Sequence, residues 1–335
     1  MRSFSAPLRA AAALAAALLA LAAAVQPYAV ASPAYGRQHD RHYDRHYDRQ
    51  GLIALTDAYV AALVAHDPSQ VPLAHDVRTV ENLQPIQPGE GLWSTTTGGP
   101  TDFQIHVPDP RRQTAGYLGV IEDDGQPALV AIRLQLDHGR IVQAEHLVAT
   151  DLAEANLENL QTPRPGLLAE VPRRHRLPER TLRTIGATYY DALDGNDSSL
   201  APFADDCERH ENGLVTAGPD VPPNDPSTGW PAVPGDCKGQ IDSQVFTYIK
   251  TIDDRRVFAA DPVTGLAMGL SHFRQPMDNT PYDVVTVDGT VVSWDPDFDP
   301  FDLPAAHIFK VGADRRLHEI EAMGFVAPPN SPSGW

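Results

Sequence analysis

Apolar residues recur at helical spacing over residues 52–63, where Leu52, Ile53, Leu55, Tyr59, Ala62 and Leu63 share one face. The spacing returns over 182–193 with Leu182, Ile185, Tyr189 and Leu193. Each run leads into a capping phrase, Asp67-Pro68-Ser69 and Asp197-Ser198-Ser199, whose aspartate can start a second, short helix. The period then falls to two. Leu129, Ala131, Arg133 and Gln135 alternate with Val130, Ile132, Leu134 and Leu136, and 140–148 returns after Asp137-His138-Gly139, which predicts a hairpin. Further strands are expected at 77–86, 103–107 and 117–122, then at 211–215, 256–260 and 266–273. Two more hairpins are expected, one at 284–294 and a closing one at 308–311 with 316–325. Helices are also expected at 152–160 and 241–252.

The two patterns are one pattern used twice. Tyr59, Ala62, Leu63, Asp67, Ser69, Pro72, Ala74, Asp76, Glu81 and Asn82 fall on identical residues at a constant offset of 130, ending in Glu211 and Asn212. Glu145 in the first closing hairpin corresponds to Glu321 in the second. So long a period means tandem domains rather than a solenoid. The expected division is a first domain at 51–150, a linker at 151–178, a second domain at 179–326 and a tail at 327–335. Helices followed by antiparallel strands predict an α+β class in which a strongly curved sheet wraps the helices around a pocket. That order resembles the nuclear transport factor 2-like fold, with its SnoaL-like polyketide cyclases and ketosteroid isomerase. Thr79-Val80-Glu81-Asn82, Gly89-Glu90-Gly91-Leu92-Trp93 and Cys207-Glu208-Arg209-His210-Glu211-Asn212-Gly213 resemble a family of exported tandem proteins of this fold. The resemblance implies two cone domains over 52–326. It implies no activity, since the isomerase's Tyr and Asp pair has no counterpart here.

Residues 1–31 read as a secretory signal: Arg2 and Arg9, an apolar run from 10 to 25, and Ala29-Val30-Ala31 as the cleavage site. The run is shorter than the roughly 20 residues of a membrane span. A secreted or periplasmic protein is expected, with no membrane partner after cleavage. Residues 32–50 repeat His, Asp, Arg and Tyr and read as a disordered tether. The net charge is −18, and the signal holds two arginines and no acid, so the remainder carries −20. That excludes nucleic acid as a natural partner and suits a neutral or cationic small organic molecule. Cys207 and Cys237 are the whole cysteine complement; in an exported chain they form a disulfide, and two free thiols are the other reading.

Candidate chemistry gathers in the second domain. On a strand, Arg209 and Glu211 share a face and His210 takes the other. Glu211 could then act as a general base beside Asp206, with Arg209 holding a developing oxyanion. Alternatively, Glu211 and Asn212 tie down backbone amides; their presence in both copies, as Glu81 and Asn82, speaks for that device. Arg256 is expected as an anion clamp with His272 as its cross-strand, proton-transferring neighbour. Asp206, Tyr189 and Glu81 are assigned to ligand contact, as is Arg256. The acidic run 294–302 lacks the Gly and terminal Glu of an EF-hand, so no metal site is assigned. Gly-x-Ser-x-Gly, His-Glu-x-x-His and Cys-x-x-Cys do not occur, and no cofactor is expected. Two functions remain: a cofactor-free lyase, isomerase or hydrolase, and a binding or interaction module without catalysis. The first domain is expected to cover the sheet of the second, a monomer imitating a dimer.

Overall fold

The computed structural model describes residues 46–335. The predicted signal and residues 32–45 of the predicted tether lie outside the described residues. Residues 46–50 belong to the fold, contrary to a tether reaching residue 50. Asp48 caps the first helix by accepting from the Gly51 amide, and Arg49 donates to Asp261 at 2.8 Å.

The first half runs α1 (Arg49–Val64), β1 (Leu73–Glu81), β2 (Gln84–Ile86), α2 (Leu92–Thr95), β3 (Thr96–Gly98), β4 (Gln104–Asp109), β5 (Thr114–Asp123), β6 (Gln126–Asp137) and β7 (Arg140–Ala149). Two short helices follow, α3 (Glu154–Asn159) and α4 (Pro165–Leu168). The second half runs α5 (Glu179–Gly195), β8 (Phe203–Glu211), β9 (Leu214–Ala217), α6 (Cys237–Asp242), β10 (Thr251–Asp261), β11 (Leu266–Gln275), β12 (Tyr282–Val285), β13 (Val291–Trp294), β14 (Phe301–Val311) and β15 (Leu317–Gly324).

The first sheet is ordered β2-β1-β7-β6-β5-β3, with β4 also on β5. The second, read from its other end, is β9-β8-β15-β14-β11-β10. Pairing repeats step for step: an antiparallel hairpin, then a parallel neighbour (β1 on β7, β8 on β15), then antiparallel strands. The fold is mixed α+β, with curled sheets and few helices.

Among the described residues, three of the four apolar clusters follow from the alternation of side chains across the two large sheets; the fourth gathers Val233, Val245 and Val284 beside β12 and β13. Leu52, Tyr59 and Leu63 of α1 pack on Tyr117, Ile132 and Ala144 of the first sheet. Leu182, Tyr189 and Tyr190 of α5 pack on Phe273, Phe309 and Ile320 of the second. The opposite faces meet each other, with Leu118, Leu129 and Leu147 against Phe258, Met268 and Ile308. Arg256 closes this layer with a two-pronged bond to the Glu145 carboxylate at 2.7 and 2.8 Å, and Arg183 pairs with Asp109.

Two local expectations are corrected. The strand predicted at 77–86 turns back at Asn82 and Leu83, both left-handed, so it becomes the hairpin β1–β2. The helix predicted at 241–252 ends at Asp242. Ser243 Oγ accepts from the Val245 amide, Gln244 is left-handed, and the branched Val245, Thr247 and Ile249 favour no helix. The tail is held: Ala327 bonds Asp302 in both directions, the Ser331 amide donates to Asp302, and the Arg78 guanidinium lies 4.9 Å from the Trp335 ring centroid.

Candidate functional site

The site is built from the end of β8. Cys207 is bonded to Cys237, which ties β8 to α6 and closes the loop between them. Two residues on, Arg209 points to the helix side of the sheet and is 3% exposed. Its Nε donates to Thr216 Oγ1 at 3.0 Å and lies 2.9 Å from Glu211 Oε1; its Nη2 donates to Gln240 Oε1 at 2.6 Å. The Phe246 ring lies 5.2 Å beneath the guanidinium. His210 faces the other way and bonds Glu208 at 2.6 Å.

Asn212 then ends the strand in a left-handed turn, φ 48°. Its side chain donates to Gly324 O at 2.9 Å and accepts from Gly324 N at 3.0 Å. Asn82 does the same in the first half, φ 42°, with Val148 O at 3.0 Å and Val148 N at 2.8 Å. Asparagine suits both needs, tolerating the conformation and answering a strand end with its amide.

Arg209 and Glu211 face a cavity of about 320 Å³ between α5 and the curled sheet. Its walls mix the rings of Tyr189, Phe246, Tyr248, Phe273 and His307 with aliphatic side chains such as Leu193, Ile249 and Leu303. A second cavity of about 490 Å³, under the disulfide-tied loop, shares Arg209, Glu211, Phe246 and Tyr248 as its wall. About half of the Glu211 side chain is in solvent, so it stands at the mouth rather than on a dry floor.

The ionisation states are set by burial. Burial pulls the Arg209 guanidinium down, but Tyr189 and Glu211 beside it outweigh this and hold it above its ordinary value. Burial pushes the Tyr189 phenol up to about 12, so it stays protonated. Burial, with the Arg209 charge, pushes the His307 imidazole down to about 3. His307 is therefore neutral near pH 7; its Nδ1 lies 3.3 Å from Tyr190 Oη. The cavity thus offers one fixed cation, one carboxylate at its mouth, and neutral ring donors and acceptors.

Of the residues assigned from sequence, Arg209, Glu211 and Tyr189 come together here. The others do not. Asp206 lies on the opposite face of β8, pairing with His318 at 2.7 Å in an outer groove. His272 faces away from the cavity, because its neighbours Phe273 and Gln275 face in; it sits 3.5 Å from Asp302 and 3.2 Å from Arg274. Its cross-strand partner is Asp253, not Arg256, which pairs with Leu270. Arg256 is bound to Glu145 between the halves. Glu81 belongs to the first half's own closed site. His307, Gln275, Phe246 and Tyr248 were not assigned from sequence. The alternation of β11, read from Phe273, would have selected Gln275 over His272.

The first half shows the same frame filled in. Glu81 accepts from the Leu92 amide at 3.0 Å and lies 3.0 Å from His146 Nδ1, while His146 Nε2 is 2.9 Å from Tyr59 Oη. Trp93 packs edge-on against Tyr59 at 5.1 Å and is 1% exposed. Gly91, φ 59°, lets the chain pass Glu81, since a Cβ there would lie 2.1 Å from the carboxylate. Register explains the contrast: Glu81 pairs with His146, whereas Glu211 pairs with Ala322. An imidazole becomes a methyl. The segment that delivers Trp93 is replaced by the long loop running to Cys237.

Comparison with solved structures finds likeness at low similarity. A Silicibacter protein named provisionally as a polyketide cyclase is 15% identical, with a TM-score of 0.27 over 44% of this chain and 92% of that one. A comparison with curated proteins finds no match. The model of a domain of unknown function, DUF8021, matches residues 45–156 and 175–324, one segment for each helix-and-sheet half, and the chain belongs to that family.

Proposed function

We propose that the chain is an exported tandem protein of two nuclear transport factor 2-like cones, whose second half binds a small carbonyl compound in the Arg209–His307 cavity. Glu211 there removes a proton from the carbon beside the carbonyl and returns it elsewhere, and Arg209 holds the oxygen as charge builds on it. The observation that carries this reading is the buried Arg209 facing open space, beside a carboxylate, where the equivalent space in the first half is filled. A fixed cation in a partly dry site stabilises an enolate without reorganisation. The ligand is neutral. Glu211 already balances Arg209, an anion would meet that carboxylate, and the chain's charge of −18 repels anions.

A second reading, binding without turnover, is favoured by the exposure of Glu211 and by its direct pairing to Arg209. Untargeted profiling of metabolite mixtures with wild type and Glu211→Gln separates the two. Turnover predicts products lost or slowed by roughly 10²–10⁴-fold in the variant. Identical profiles, with ligand still bound by both proteins, leave the binding module. N-terminal sequencing of protein collected outside the cell tests export, with Ser32 as the expected first residue.

A further inference from the structure

One polar group in the cavity is left unanswered. Gln275, at the end of β11, is 3% exposed and lines the cavity, and its Oε1 is buried without a hydrogen-bond partner. Buried amide oxygens are nearly always bonded, because leaving one unmade costs about 1–3 kcal/mol. Its neighbours in the cavity wall, Phe273 and Leu303, are apolar, and no side chain among the described residues bonds that oxygen. β8 and β11 are separated by β15 and β14 in the sheet. At about 4.8 Å per strand, Arg209 and Gln275 stand on strands roughly 14 Å apart along the sheet, drawn closer by its curl.

We infer that Gln275 is a specificity-determining residue that accepts a hydrogen bond from a hydroxyl or N–H group of the ligand, at the end away from Arg209. The inference rests on the proposed function and narrows it. The ligand class becomes an elongated, uncharged carbonyl compound that carries a donor at its far end, with an apolar or aromatic body between. A site built around an unpaired polar atom rejects the analogue lacking its partner much more strongly than an apolar pocket rejects an extra hydroxyl.

The test is a binding comparison by calorimetry on the whole chain, with matched probes that differ in one hydroxyl. The pairs are 4-(4-hydroxyphenyl)butan-2-one with 4-phenylbutan-2-one, and 4-hydroxycyclohexanone with cyclohexanone. Wild type is expected to prefer the hydroxylated member of at least one pair by roughly tenfold or more. Gln275→Leu, with Gln275→Met as the closer isostere should the first not fold, is expected to erase that preference. Glu211→Gln is expected to keep it. If ketones bind with no preference in wild type, or if the preference survives in the Leu and Met variants, the role of Gln275 is overturned while the cavity reading stands. If neither pair binds, the cavity reading falls and this inference with it.

Discussion

Glu81 and Glu211 stand at the same place in two copies of one frame, and they do different things. Glu81 is spent inside the protein, on the Leu92 amide and His146, and Trp93 packs on the Tyr59 that His146 bonds. Glu211 pairs with Arg209 and has open space in front of it. Asn82 and Asn212, one residue on, do the same job in both halves. A shared residue therefore reports a structural need only when its surroundings are shared too. The asparagines meet that condition and the glutamates do not.

Four measurements would break or sharpen the comparison. The largest effect should come from Trp93→Ala, which removes the ring packed on Tyr59 and is expected to cost about 3–5 kcal/mol in denaturant unfolding. A loss below about 1 kcal/mol would mean that Trp93 is not part of the first core. Next is the pair of matched carboxylates facing the layer between the sheets. Glu145 is held by Arg256, whereas Glu321 is 1% exposed and shares Arg164 with Glu208 and Glu319. Burial pushes the Glu321 carboxyl up to about 7. A carboxyl raised on folding favours the native state at low pH. That advantage is complete below the unfolded value near 4.5 and is lost as pH climbs through about 7. Stability curves of wild type and Glu321→Gln should therefore diverge in favour of the variant across that window, by up to about 3 kcal/mol. Parallel curves would refute the burial of the charge.

Smaller and more diagnostic are the asparagine changes. Asn82→Ala and Asn212→Ala should each cost about 2 kcal/mol, from two lost bonds and a strained left-handed alanine. Unequal losses would show that the two turns are not equivalent. The smallest effect separates the glutamates themselves. Glu81→Gln should cost about 1 kcal/mol by thermal unfolding, and Glu211→Gln should stay within about 0.5 kcal/mol because its side chain is half in water. A large loss at Glu211 would make it a structural residue like its twin.

The helices and closing hairpins were legible because their periods are clean: α1, α5, β6 and β7 follow the alternation of their apolar residues. The Arg209–Glu211 pairing was legible for the same reason, being two steps along one strand. What escaped depended on long-range register. His307 reaches the cavity because β14 curls around α5, whereas the alternation of β11 from Phe273 does mark Gln275. His272 was selected for its chemistry, but strand parity turns it outward. The break after Asp242 escaped because a run of apolar residues does not reveal that Ser243 and Gln244 turn the chain.

The apolar layer shared by the two sheets has an evolutionary consequence. Identical subunits held by such a layer must carry every mutation twice, so a residue that fills one pocket fills both. Joining the copies in a single gene removes that symmetry. Within one chain the two positions differ independently: His146 stands where Ala322 does in the other half, while the apolar layer covers a face of each sheet.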